Sequence, residues 1–198
     1  ERLRLFSSRY DEFLRGNAAL DEAQARGLAL FENPAKGNCA SCHPSARSDE
    51  GKFPLFTDFG YHALGVPRNP ALAANADPAR FDLGLCAREG GDLAARTDLC
   101  GAFKVPSLRN VALRQAFFHN GRFTRLRDAV AFYARRDTHP EEFYPHRSDG
   151  SLVRTNDLPV AYHANVVRGV SPYDREPGQT PALSDSEIDD VVAFLRAL

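Results

Sequence analysis

Residues 39–43 read Cys-Ala-Ser-Cys-His. Two cysteines separated by two residues and followed at once by a histidine suit the attachment of a c-type haem. The thiols add to the two porphyrin vinyl groups, and the adjacent imidazole binds the iron. Cys39 and Cys42 must reach two carbons at fixed positions while His43 stays beneath the metal. A structural zinc site would need a second pair of ligands at similar spacing, and a redox CxxC would need a βαβ setting. The sequence offers neither, so the motif predicts one covalently bound haem c.

The iron has a second axial face. Methionine is a common ligand there, but the chain contains none. His62, His119, His139, His146, His163, a tyrosine or an open position remain. Tyr133 stands apart because it falls on the apolar stripe of a predicted helix, in register with Leu126, Ala129 and Val130. An ordinary half-buried core tyrosine has the same spacing, so periodicity alone leaves the ligand open.

Cys86 and Cys100 form the other cysteine pair. The residues between them include no histidine and no second CxxC, which argues against a metal knuckle. A disulfide is the expected state, with two reduced buried thiols as the other reading. A disulfide implies an oxidising compartment, and a c-type haem points the same way, to the periplasm or an equivalent space.

Three helices must position these groups. In LDEAQARGLALF, Asp21 and Gln24 form a capping box, and Gly27, Leu30 and Phe31 follow at helical spacing ahead of the haem motif. In TRLRDAVAFYARR, Thr124 is the expected N-cap of the helix that carries Tyr133. In LSDSEIDDVVAFLRAL, Ser184 and Glu187 form a second capping box, and Ile188, Val191, Val192 and Leu195 line one face. Residues 44–102 and 137–183 show no sustained period and are rich in Gly, Pro, Asn and Asp. Loops this long are unusual in a compact domain, but a large apolar cofactor supplies core that the chain does not.

The layout predicts an all-α, cytochrome c-like single domain over residues 1–198, with long irregular loops around one covalently bound haem. In such a fold the first and last helices cross closely. Gly27 would permit the approach and Phe194 would pack there; otherwise Gly27 is simply tolerated within a helix at about 1 kcal/mol. Hydrophobic residues make up 43% and charged residues 26% of the 198 residues, a globular balance. No apolar run nears the roughly 20 residues of a membrane span. The formal net charge of −1, with acidic and basic residues interspersed, gives no expectation of a nucleic-acid partner. The opening ERLRLFSSRY has no signal-peptide pattern, so any such signal is expected to be already removed, or Glu1 to lie inside a longer polypeptide.

Several motifs occur in an order that resembles the C-terminal half of the di-haem cytochrome c peroxidase family, in particular its MauG branch. RGLALFENPAKGNCASCH is similar to the approach to the second haem of that family. FKVPSLRN and FHNGRF resemble its core signatures, and DLPVAYHANV and LSDSEIDDVVAFLRAL its closing segments. In the MauG branch a tyrosine stands fourteen residues beyond the FHNG-like histidine, as Tyr133 stands to His119. The resemblance therefore implies Tyr133 as the distal ligand opposite His43. An anionic phenolate should lower the reduction potential and favour oxidised iron.

The resemblance further implies a periplasmic peroxidase-type oxidoreductase in which this domain relays electrons and stores oxidising equivalents during hydrogen peroxide-dependent oxidation. Its partners would be an N-terminal haem domain of the same enzyme, which this chain does not contain, and a small electron-donor protein or a protein substrate. The family also holds Ca2+ between its haem domains near a Thr-x-Pro, but residues 114–116 here read Arg-Gln-Ala. The alternative from a different class is a mono-haem electron-transfer cytochrome c without peroxidase activity.

Overall fold

The computed structural model describes residues 6–198. Helix α1 spans Arg9–Leu14, and Ser8 caps it in a reciprocal box with Asp11. Six residues are too few to show a helical period, so this helix has no periodic signal in the sequence. Helix α2 spans Glu22–Glu32 and begins on the expected Asp21–Gln24 box. Helix α3 spans Leu126–Arg135. Its N-cap is Arg125, with no side-chain cap, and not Thr124. The preceding segment is held extended by the Phe117 N–H donating to the Phe123 carbonyl (2.9 Å), which delays the helix start by one residue. Helix α4 spans Asp185–Leu195 and begins on the expected Ser184–Glu187 box.

The first and last long helices do cross at Gly27. A Cβ on Gly27 would fall on the Asp190 carbonyl of α4 and lie 2.9 Å from the Phe194 Cβ. Phe194 is fully buried, with its ring edge-on to Phe31 and Tyr10, both at 5.2 Å. The obstacle to a larger residue is backbone, which cannot swing aside as a side chain could. Gly27→Leu should therefore lower stability by at least the ~1–3 kcal/mol typical of overpacking, read as a fall in the thermal midpoint. An unchanged midpoint would mean that α2 and α4 can separate freely.

Between the helices the chain is irregular. Short 3₁₀ turns punctuate it, and the strands found among the described residues are β1, Tyr61–His62, and β2, Phe103–Lys104, paired antiparallel with Tyr61 opposite Lys104. Polar side chains take over the hydrogen bonding that a sheet would supply. Buried Arg136 donates to the Leu64 carbonyl at 3.0 Å and the Val167 carbonyl at 2.7 Å, and pairs with Asp137. Asn120 donates to the Pro67 carbonyl and to Asp157. Cys86 and Cys100 form the expected disulfide, with Cα atoms 4.8 Å apart. The architecture is mostly helical with almost no sheet, as the sequence predicts.

Candidate haem-binding site

A cavity of about 550 Å³ opens between the CxxCH turn, α3, α4 and the segments around residues 103–119 and 170–173. Leu126, Ala129, Val130 and Tyr133 of α3 all line it, so the predicted stripe faces the cavity as a unit. Val191 and Leu195 bring the apolar face of α4 to the same space.

The CxxCH motif sits just beyond α2. The Gly37 N–H donates to the Leu30 carbonyl (3.2 Å), turning the chain back on the helix end. Asn38 then takes a left-handed conformation, φ 48°, from which residues Cys39–Ser41 make one 3₁₀ turn. The His43 N–H closes this turn on the Cys39 carbonyl at 2.8 Å. Cys39, Cys42 and His43 all line the cavity, and neither cysteine is in a disulfide. Burial pushes the Cys39 thiol up to about 12 and raises that of Cys42 as well.

His43 is held by one backbone contact. Its Nδ1 lies 2.7 Å from the Phe56 carbonyl, which fixes Nδ1 as the donor and leaves Nε2 as the basic nitrogen available to a metal. Burial lowers the His43 pKa, against the opposing pull of this hydrogen bond, so the ring is neutral, as a ligand must be. Phe56 itself has φ 53°, an uncommon conformation for a non-glycine residue, and its ring is wholly buried.

The structure separates the distal candidates. Among the described residues, Tyr133, His62 and His119 line the cavity, whereas His139, His146 and His163 do not. His163 instead bonds the Leu158 carbonyl at 2.8 Å. His62 Nε2 lies 3.6 Å from the Cys42 Sγ. A group touching that sulfur stands at the edge of a thioether-bound porphyrin, away from its centre. His119 stacks face to face on Phe103 with ring centres 3.5 Å apart, and its Nε2 is 3.7 Å from Asp157. Tyr133 has no hydrogen-bond partner among the described residues, and burial raises its pKa strongly.

Cys42, Asp58 and His62 also converge as potential metal ligands, but a sulfur committed to the CxxCH motif is not free for another ion. Two further features of the site have no signal in the sequence. Tyr173 lines the cavity from an aperiodic stretch, and the Phe56 contact to His43 uses a backbone atom, which any residue type could supply. A large apolar cavity, two cysteines outside any disulfide, a neutral imidazole with a free Nε2 and a buried phenol all fit a covalently attached haem. Among the described residues no helix is long and apolar enough to cross a membrane.

No protein-family model matches the chain. It is 32% identical over 195 residues to the methylamine utilization protein MauG of Paracoccus denitrificans, covering 98% of this chain and 46% of that protein. It is also 32% identical over 155 residues to a cytochrome-c peroxidase of Denitromonas iodatirespirans, covering 71% of this chain and 40% of that protein. The crystal structure of the diheme peroxidase BthA from Burkholderia thailandensis superposes with a TM-score of 0.85 at 48% identity. That match covers 98% of this chain and 46% of the other. The chain thus spans about half the length of the relatives it matches, with a cytochrome c-like fold. It belongs to the MauG and di-haem cytochrome c peroxidase family, as a C-terminal haem domain.

Proposed function

We propose that residues 1–198 form one domain with one haem c, joined through Cys39 and Cys42 and ligated by His43 and Tyr133. In the native polypeptide it works beside an N-terminal haem domain as the electron-relaying and charge-storing half of a periplasmic, MauG-like di-haem peroxidase. The observation that carries this reading is the convergence of the CxxCH turn and Tyr133 on one apolar cavity. When bound, the haem supplies a one-electron redox centre.

The chain's own groups set how that centre behaves. The Phe56 carbonyl orients His43 and enriches its Nε2. The apolar faces of α3 and α4 exclude water, which strengthens electrostatic interactions inside the cavity. Tyr133, as a phenolate, favours the oxidised state of a metal it binds, which suits a domain that holds oxidising equivalents until a donor protein or a protein substrate supplies electrons.

The test is made on the native polypeptide that contains this chain. Mass and haem content are expected to give one haem on Cys39 and Cys42 and a second on sequence upstream, with steady-state peroxide turnover when a reduced donor is added. A single haem per native chain and no turnover would instead establish a mono-haem electron carrier.

A further inference from the structure

Tyr173 is buried, and its hydroxyl has no hydrogen-bond partner among the described residues. A buried unpaired hydroxyl costs free energy that only a partner recovers, and this one belongs to a residue that lines the haem cavity. Its position is tightly specified. The Asn38 side chain donates to the Ser171 carbonyl at 2.9 Å, and the Ser171 hydroxyl donates to the Lys36 carbonyl at 2.7 Å. These bonds clamp the turn carrying Tyr173 to the residues immediately before Cys39. From the other side the Arg136 guanidinium stacks over the Tyr173 ring, 3.9 Å from its centre. Arg136 lies on the α3 side, three residues beyond Tyr133, and the Tyr133 and Tyr173 rings are 6.2 Å apart at an angle of 33°.

Two acceptors in the cavity could take this hydrogen bond: a haem carboxylate or the Tyr133 oxygen. The carboxylates of a c-type haem lie on the porphyrin edge opposite the thioethers. The clamp to residues 36–38 places Tyr173 at the thioether edge, beside Cys39. The Tyr133 oxygen remains, on a ring 6.2 Å from that of Tyr173; the two hydroxyls are not bonded to each other in this structure, so the bond belongs to the haem-loaded protein. The guanidinium over the ring draws electron density from Tyr173 and strengthens it as a donor. The same cation disfavours removing an electron from Tyr173, so its part is to donate a hydrogen bond and not to carry a radical.

We propose that Tyr173 is a positioning residue that donates a hydrogen bond to the Tyr133 oxygen and thereby limits how strongly that oxygen donates to the haem iron. The proposal rests on the reading of Tyr133 as an iron ligand. It predicts that the redox behaviour of the domain is set by three neighbouring residues, Tyr133, Tyr173 and Arg136, of which Tyr133 alone touches the metal.

The experiment uses the haem-loaded protein with Tyr173→Phe, Tyr133→Phe and both together. Phe keeps the ring beneath Arg136 and removes the donor. In Tyr173→Phe the reduction potential should move to more negative values, and the phenolate-to-iron charge-transfer band to longer wavelength, with haem content unchanged. Both shifts should vanish when Tyr173→Phe is made in the Tyr133→Phe background. If Tyr133→Phe alters the spectrum but Tyr173→Phe moves neither quantity, the hydrogen bond is refuted and the ligand assignment stands. The same shift in both backgrounds would also refute it, because Tyr173 would then act on something other than Tyr133. If Tyr133→Phe changes nothing, the ligand assignment fails and the proposal falls with it. A second measurement needs no variant: the Tyr133 ring modes in the resonance Raman spectrum of the parent should shift in D₂O, and their insensitivity to deuterium would overturn the proposal.

Discussion

Tyr133→Phe is expected to convert a six-coordinate ferric haem to a high-spin one, or to one in which another group has entered the vacated position. Phe preserves the packing against Phe118, whose ring centre is 5.4 Å from that of Tyr133, and removes only the oxygen. The groups able to enter are few. Of the histidines outside the CxxCH motif, His62 and His119 line the cavity. His62 is held against Cys42 at the cavity edge, and His119 is stacked on Phe103. Water or an open position is therefore the expected outcome. Tyr133→Met should raise the reduction potential, since a neutral thioether stabilises oxidised iron less than a phenolate. A tenfold change in the one-electron equilibrium is about 59 mV, and the shift should be at least that large. Spectra and potentials that match the parent in both variants would remove Tyr133 from the coordination sphere.

The reach of the sequence divides along a physical line. Features set by residues close together in the chain are legible in the sequence: the CxxCH motif, the capping boxes of α2 and α4, and the stripe that brings Tyr133 to the cavity with Leu126 and Val130. Gly27 was legible because a glycine is conspicuous within a helical pattern, and its Cβ would meet Asp190 and Phe194. The groups that orient the site were not. The Phe56 carbonyl that holds His43 is a backbone atom thirteen residues from it. Tyr173 meets Tyr133 across forty residues without a repeating pattern. Thr124 shows the limit of cap signals, because a backbone bridge between Phe117 and Phe123 holds the preceding segment extended and the helix starts one residue later. The long loops carry little periodicity because their order comes from individual side chains such as Arg136 and Asn120 bonding distant carbonyls, and no spacing rule encodes those partners.

Arg109→Leu is expected to lower the stability of the domain by about 3 kcal/mol and to disturb His43 as well. Arg109 forms a two-pronged ion pair with Asp11 of α1, both bonds 2.9 Å. It also donates to the Pro54 carbonyl at 3.0 and 2.7 Å. Asp11 is completely buried. Removing its partner leaves a buried carboxylate without its cation, a change that costs about 3–5 kcal/mol; the lower end applies because 16% of the Arg109 side chain remains exposed. Burial tends to raise the Asp11 pKa, but the bonds from Arg109 and Ser8 outweigh it and hold the carboxyl below its ordinary value. In the parent this pair therefore contributes fully above the unfolded carboxylate value of about 3.9, and its contribution is lost as the pH falls through the lower folded value. Without Arg109 the folded pKa rises, because burial is then opposed by the Ser8 bonds alone. The variant therefore loses less stability on acidification than the parent does, so the gap between them should narrow. Denaturant unfolding from neutral to acid pH reads this directly, and a gap that stays constant would show that Asp11 is not the group responsible. The second consequence follows from Pro54, two residues before Phe56. Arg109 anchors the segment whose carbonyl accepts from His43 Nδ1, so its loss should alter the ferric haem spectrum under conditions where the variant is still folded. A destabilised variant with the parent's spectrum would confine Arg109 to the fold and leave the orientation of His43 to Phe56 alone.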